Sequence, residues 1–436
     1  MSWKKVRLGD LITESRILAN NPDPNRRIRV KLNIQGVEKR PVESEIEGAT
    51  RQFIRRKGQF IYGKQNFHKG AFGIIPDQLD GFETSADIPS FDVRSDCLVE
   101  WIFYYFKIGN RFLELEKIAR GVGSKRIHPE QIAEILIPLP KIEEQRRIIS
   151  RFKSLESNGT EISLELTHQL SLVKQLRQAF LREAMQGKLV AQHPEDGHAK
   201  DLLAQIKEEK AKIGKKDKPL PPITPEEIPF EIPEGWVWCR LGEVVLHSEA
   251  GKSYKCEEIP ISNENEWGVI KVSAVSWDIF LEDQNKLFSK TVPSDISAKV
   301  NQGDFLISRA NTSELVGKSV VVNTISKNLL LSDKTIRFKF PSFINSDFIN
   351  LCNNSGYARN YYATKGTGSS PSMKNITREQ MRELLIPLPP YHEQKRIMVK
   401  VSELKEYFDK LEQSVKRGKI ETEQLLQQVL TEALSN

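Results

Sequence analysis

Two short polar clusters hold the residue types in this sequence best suited to a chemical task. Lys64, Gln65, Asn66, His68 and Lys69 form the first. Arg309, Asn311, Thr312 and Ser313, followed by Glu314, form the second. The task they suit is hydrogen bonding to base edges: Arg and Lys offer donors to guanine, and Asn and Gln offer the donor–acceptor pair that matches adenine. A Gly-x-Gly-Ser segment lies downstream of each cluster. Gly121-Val122-Gly123-Ser124 runs into Lys125 and Arg126, and Gly366-Thr367-Gly368-Ser369 is flanked by Lys365 and Lys374. Glycine backbone with basic neighbours approaches phosphates closely. Singly, each of these residues is also what an ordinary exposed loop carries. Matched placement with different residues argues for two related readers with different targets.

Sets that would make or break covalent bonds are missing. Asn21-Pro22-Asp23-Pro24 lacks the aromatic residue of an Asn/Asp-Pro-Pro-Tyr/Phe adenine-methyltransferase loop. Gly251-Lys252-Ser253 and Gly317-Lys318-Ser319 imitate the end of a phosphate-binding loop, but the earlier glycine it requires falls on Leu246 and Thr312. The seven histidines have no metal-ligand spacing, and His128 and His392 are most simply structural or solvent-exposed. Pro76-Asp77 finds no partners for a Pro-Asp…Glu-x-Lys nuclease set. Cys97, Cys239, Cys256 and Cys352 are far apart and form no C-x-x-C pair, as expected of thiols in a reducing compartment. No metal site is expected.

The elements that must position the clusters are duplicated. Trp3 and Arg7-Leu8-Gly9-Asp10 recur as Trp236 and Arg240-Leu241-Gly242-Glu243. Residues 58–66 recur as 303–311, Ile137-Pro138-Leu139-Pro140 as Ile386-Pro387-Leu388-Pro389, and Glu144-Gln145-Arg146-Arg147-Ile148 as Glu393-Gln394-Lys395-Arg396-Ile397. From Ile137 to Ala184 the halves align without a gap at a shift of 249, whereas before that the shift drifts between 233 and 251. A helix held in a fixed packing register requires the ungapped form, because one inserted residue rotates every later side chain by about 100°. Drift is what variable loops allow.

After each Pro-Leu-Pro the apolar residues take helical spacing. Ile148, Phe152, Leu155, Ile162 and Leu166 form one stripe, continued by Val173, Leu176, Phe180 and Ala184. Ile397, Val401, Leu404, Phe408, Leu411 and Val415 form the other. Spacings of 3 and 4 predict a narrow coiled-coil seam, and two such helices of matching register favour antiparallel pairing with each other over separate packing. Gly159 and Gly418 mark possible local breaks. Within the modules, residues 59–62, 72–75, 304–307 and 318–322 predict short buried strands, and residues 95–113 and 346–362 predict helices opening on Ser-Asp. The fold class is α/β (α+β): two pseudo-symmetric target modules, each followed by a long α-helix. The boundaries are 1–140 and 236–389 for the modules, 141–187 and 390–436 for the helices, and 188–235 for a charged, then Pro-rich linker expected to be a solvated tether.

The 436 residues suit several domains, and 39% hydrophobic content suits real cores. No apolar run is long enough to cross a membrane and the N-terminus has no signal-peptide core, so a cytoplasmic protein is expected. The net charge of +7 is compatible with nucleic acid but does not single it out.

Two modules, each closed by Ile-Pro-Leu-Pro, Glu-Gln-Arg/Lys-Arg-Ile and a long helix, resemble the specificity subunit of Type I restriction-modification systems. Pro233-Glu234-Gly235-Trp236-Val237-Trp238-Cys239-Arg240-Leu241-Gly242-Glu243 is similar to that family's domain-start motif. Residues 303–318, with Ser308, Arg309, Asn311 and Leu315-Val316-Gly317-Lys318, are similar to a recurrent segment of its target-recognition domains. The first module lacks the Pro-Glu-Gly lead, and the second helix has no counterpart of Gly187-Lys188-Leu189-Val190. The resemblance implies a non-catalytic chain in which each module reads half of a bipartite site on double-stranded DNA. It implies that the paired helices set the spacer and that two methyltransferase (modification) subunits dock on the halves. Restriction endonuclease/translocase subunits join them. S-adenosylmethionine, ATP and Mg belong to those partners, and none binds this chain. Two rival readings are a coiled-coil adaptor with no DNA role and the detached recognition part of a fused restriction–methylation enzyme. A start at Met1 directly before Trp3 is expected of a whole reading frame.

Overall fold

The computed structural model describes residues 3–41, 50–121, 125–214, 218–289, 291–368, 370 and 373–435. These form two compact units. Unit 1 is Met1–Leu170 with Gln413–Asn436, and unit 2 is Ser171–Glu412, so the division falls within each long helix.

In unit 1 the antiparallel pair Lys5–Arg7 with Leu136–Pro138 ties the start of the module to its end, with Val6 opposite Ile137. The duplicated Ile-Pro-Leu-Pro motif is therefore a closing strand. A four-stranded antiparallel sheet carries the core in the order Ile12–Ser15, Ser90–Val93, Phe60–Tyr62, Phe72–Ile74. Phe60, Ile61 and Tyr62 are all buried, which explains why this strand shows an unbroken apolar run rather than alternation. Phe60, Tyr62, Phe67, Phe72 and Phe106 interlock with ring centroids 4.5–6.4 Å apart.

The single helix expected over residues 95–113 is two, Val99–Lys107 and Arg111–Glu114. Gly109 and Asn110 take left-handed φ of 66° and 52° and break it. It does not open on Ser95-Asp96, because Arg94 pairs with the Asp96 carboxylate and Gln145 takes the Asp96 carbonyl.

Unit 2 repeats the sheet order with His247–Ala250, Thr335–Lys339, Phe305–Ser308 and Ser319–Val321, closed by Val237–Arg240 against Leu385–Leu388. It adds a three-stranded sheet, Asn285–Ser289, Trp267–Ile270 and Asn328–Leu330, which has no three-stranded counterpart among the described residues of the first module. The predicted helix over 346–362 is Ser346–Asn353 followed by Gly356–Lys365, restarted by the Ser355 hydroxyl, which accepts the Ala358 N–H.

The long helices are continuous over Ile142–Met185 and Tyr391–Ser435, so neither Gly159 nor Gly418 breaks them. A Cβ at Gly159 would lie 2.8 Å from Leu426 Cδ2, so this glycine admits the opposing leucine. Within unit 1 the helices run antiparallel: residue 159 meets 426, and Lys419 donates to the Thr167 hydroxyl at 3.2 Å. Within unit 2, Phe180 stacks on Phe408 at 5.3 Å and Arg177 pairs with Asp409 and Glu412 at 2.8 and 3.3 Å. Phe152, Ile397, Val401, Phe408 and Val415 are buried, and Ile148, Leu155, Leu166, Leu404 and Leu411 are half-buried. Ile162 is 46% exposed, while Ile149, outside the expected stripe, is buried.

Where the sequence suggests a solvated tether, residues 188–214 and 218–235 pack as part of unit 2. The helix Ala199–Ile213 buries Ala199, Leu202 and Ile206. Buried Arg240 donates to the carbonyls of Pro221, Pro222 and Glu383 and binds the Glu227 carboxylate at 2.9 Å. Proline runs lack donors but keep their carbonyls, and Arg240 uses them.

Candidate nucleic-acid interface

Each candidate cluster begins where a buried strand of the central sheet ends. In unit 1 the Lys64 N–H donates to Asp87 O at 2.9 Å, and its carbonyl accepts the Ile127 N–H at 2.8 Å. In unit 2 the Arg309 N–H donates to Lys334 O at 2.9 Å, and its carbonyl accepts the Ile376 N–H at 2.8 Å. These bonds are equivalent, and they bring the strand-end cluster against the segment after the glycine-rich loop in both modules. The two halves thus hold a cation at one topological position, Lys64 in the first and Arg309 in the second. Both are half-buried, and neither side chain has a hydrogen bond or ion pair among the described residues. A half-buried cation without an internal partner keeps its donors available to an outside acceptor.

The surroundings differ between halves. In unit 1, Asn66 precedes the turn Phe67–Lys69, and its carbonyl accepts the Lys69 and Ala71 N–H groups. Gln65 and Lys69 are exposed. His68 is buried, its Nδ1 has no partner among the described residues, and burial pushes its pKa below the ordinary histidine value. Lys125 pairs with Glu116 at 2.9 Å and Arg126 with Asp87 at 3.5 Å, both in exposed positions. Gly123 and Ser124 lie outside the described residues, as does Ser369.

In unit 2, the short pair Ala310–Asn311 with Lys374–Asn375 joins the cluster directly to the glycine-rich segment. The Asn311 amide donates to Ser276 Oγ at 2.8 Å and accepts the Thr312 N–H at 2.9 Å. The Thr312 carbonyl accepts the Leu315 and Val316 N–H groups, and Ser313 is half-buried. Thr367 and Asn375 exchange backbone bonds at 2.9 Å, Lys374 Nζ donates to Gly368 O at 2.7 Å, and Lys365 lies 6.0 Å from the Tyr361 ring. Lys374 is thus a loop-bracing residue as well as a surface cation.

Residues that the sequence left unmarked also join the candidate clusters. The hairpin turn after Ile28–Val30 bonds to the first cluster through Asn33 N–H to Lys69 O and Ile34 N–H to Gly70 O, both at 2.9 Å. Lys334 and Ser276 join the second cluster through the bonds given above. All of these contacts are long-range in sequence, so no local motif carries them.

The glutamine of the duplicated Glu-Gln pair is structural. Buried Gln145 accepts the Leu98 N–H at 2.8 Å and donates to Asp96 O and Pro140 O, both at 2.9 Å. Gln394 accepts the Asn345 N–H and donates to Pro389 O, both at 2.9 Å. Each glutamine pins the start of a module helix to the proline corner and the long helix. Among the described residues, no grouping of three or more His, Cys, Asp or Glu could hold a metal, and no helix is long and apolar enough to cross a membrane.

Residues 2–171 match the model of the Type I restriction modification DNA specificity domain. The Type I restriction enzyme EcoEI specificity subunit of Escherichia coli is 36% identical over 267 residues, 60% of this chain and 45% of that protein. The chain thus spans about half of that relative's length. The fold matches a chain from a structure on complex assembly and conformational transition of the type I R-M system, with a TM-score of 0.65 and 18% identity, covering 100% and 98% of the two chains. It also matches the HsdS subunit of Thermoanaerobacter tengcongensis, with a TM-score of 0.57 and 19% identity over 99% and 95%. Residues 2–171 are thus similar to the DNA specificity domain of Type I restriction-modification systems, the curated relative named above is a specificity subunit of such a system, and the chain as a whole shares the fold of the two solved structures.

Proposed function

We propose that this chain supplies the DNA address for a Type I restriction-modification complex and performs no bond chemistry itself. Each module reads one half of a bipartite duplex site. The observation that carries this reading is the pair Lys64 and Arg309. They are different cations without partners among the described residues, held by equivalent backbone bonds in two modules of the same sheet order. Arg or Lys bonded to guanine is the commonest specific base contact, and a different cation with different neighbours gives each half its own target. Arg126, Lys125, Lys69, Lys365 and Lys374 suit phosphates, which position the protein without reading sequence.

The paired helices set the unread spacer, since the mounting of two readers fixes which bases both can touch. Each helix also leaves apolar side chains exposed, among them Leu164 and Leu176 on the first and Tyr407 and Leu425 on the second. These suit the docking of two methyltransferase subunits, one per half. Those subunits would bring S-adenosylmethionine and methylate an adenine drawn from the stack. ATP and Mg serve a translocating endonuclease subunit.

The test is to co-express the chain with its methyltransferase partner and map methyladenine in the host DNA. A split motif with a fixed gap is expected, and replacing residues 236–385 with those of a relative should change one half only. A continuous motif, or none, would refute bipartite reading.

A further inference from the structure

Beyond the clusters, the second module carries an exposed apolar tip. Residues 274–281 form a closed loop. The Leu281 N–H donates to Ala274 O at 3.1 Å, Ser276 Oγ donates to Val272 O at 2.7 Å, and Ser273 Oγ donates to Gln284 at 2.8 Å. Ala274 and Val275 are buried in the core at its base, and Phe280 packs against that core. At the tip, Trp277 is 53% and Ile279 59% exposed. The carboxylate between them, Asp278, is paired with Lys318 at 3.5 Å. The loop is tied to the candidate interface, because Ser276 Oγ accepts the Asn311 amide. Asn311 in turn is paired in register with Lys374.

The first module has a counterpart in kind. Exposed Leu32 sits in the hairpin turn whose Asn33 and Ile34 N–H groups bond to Lys69 and Gly70. Both modules therefore couple an apolar tip to a polar cluster, and the tip residue differs as the cluster does.

We propose that the 276–280 loop is a specificity-determining element of the second module, with Trp277 and Ile279 packing directly on bases of the half-site beside Arg309 and Asn311. This rests on the DNA-reading function proposed above. Duplex DNA is the occupant that the local charge favours. Backbone bonds and strand register bring Arg309, Lys334 and Lys374 to this end of the module, and Lys318 pairs with Asp278, the carboxylate on the tip itself. Apolar side chains read DNA by packing on the thymine methyl in the major groove or by wedging at an opened base step.

The experiment uses the assembled complex of this chain with its methyltransferase, carrying W277A/I279A or the conservative W277F. Affinity is measured against the mapped site and against duplex lacking the second half-site, over a range of salt. The double variant should bind the cognate duplex about tenfold more weakly or worse. Its affinity for the altered duplex and the slope against salt should stay unchanged, because no phosphate contact is lost. Methylation should become degenerate in the second half-site only, and W277F should restore most of the specificity. A wild-type split motif left intact by W277A/I279A overturns this inference alone. So does loss of methyltransferase assembly in place of specificity, which would make the tip a protein-docking element. A wild-type complex with no split motif overturns the reading and this inference together.

Discussion

Replacing Gln145 with Ala tests whether the duplicated Glu-Gln motif builds the fold or meets a partner. The side chain is buried and makes three hydrogen bonds, accepting from Leu98 and donating to Asp96 and Pro140. Truncation leaves the Leu98 N–H without its acceptor at the start of Val99–Lys107 and removes one donor from each of two carbonyls. An unsatisfied buried donor costs about 1–3 kcal/mol, and each lost bond costs about 0.5–1.5 kcal/mol net. The sum is about 3 kcal/mol, a factor of about a hundred in local opening. Hydrogen exchange should show the amides of Val99–Lys107 opening about a hundredfold more often, with the strands Phe60–Tyr62 and Phe72–Ile74 following as the helix loosens from the sheet. Gln394→Ala should do the same to Ser346–Asn353, and Gln145→Glu should not rescue, because a carboxylate would face two carbonyls. Unchanged exchange in Val99–Lys107 together with failed methyltransferase assembly would refute the argument and make the motif a docking surface.

Three further outcomes are expected. Arg309→Ala should cost about 1–3 kcal/mol of specific binding and relax the second half-site only, whereas Lys125→Ala should weaken all duplexes alike and reduce the salt slope by about one. His68 has a pKa lowered by burial, so the folded state holds it neutral and the unfolded chain binds the proton first. Thermal stability of unit 1 should therefore fall as pH drops through the ordinary histidine range near about 6.5, and His68→Gln should flatten that stretch of the profile. Arg240→Met should release the docked segment 218–227, seen as new proteolytic cleavage there while the sheet around Phe305–Ser308 stays protected.

The twofold plan was legible in the amino-acid pattern alone. Its buried strands at 60–62 and 305–307, the proline corners and the two helices all follow from local periodicity, which a chain must display to bury one face of an element. It also placed both polar clusters, since residue type alone states what each side chain can donate or accept.

Tertiary structure decided what those residues do. Spacing does not show that Lys64 and Arg309 share one set of backbone bonds, or that Gln145 and Gln394 face inward. Those facts depend on partners 49 to 67 positions away, namely Ile127, Ile376, Asp96 and Asn345. The linker misled for a related reason. Its proline density speaks of extended chain, and only the fold supplies Arg240, whose guanidinium gathers the carbonyls of Pro221 and Pro222. Gly159 is the same lesson on a helix: propensity marks it as a weak point, and the opposing Leu426 explains why a hydrogen in place of a methyl is what the pair requires there.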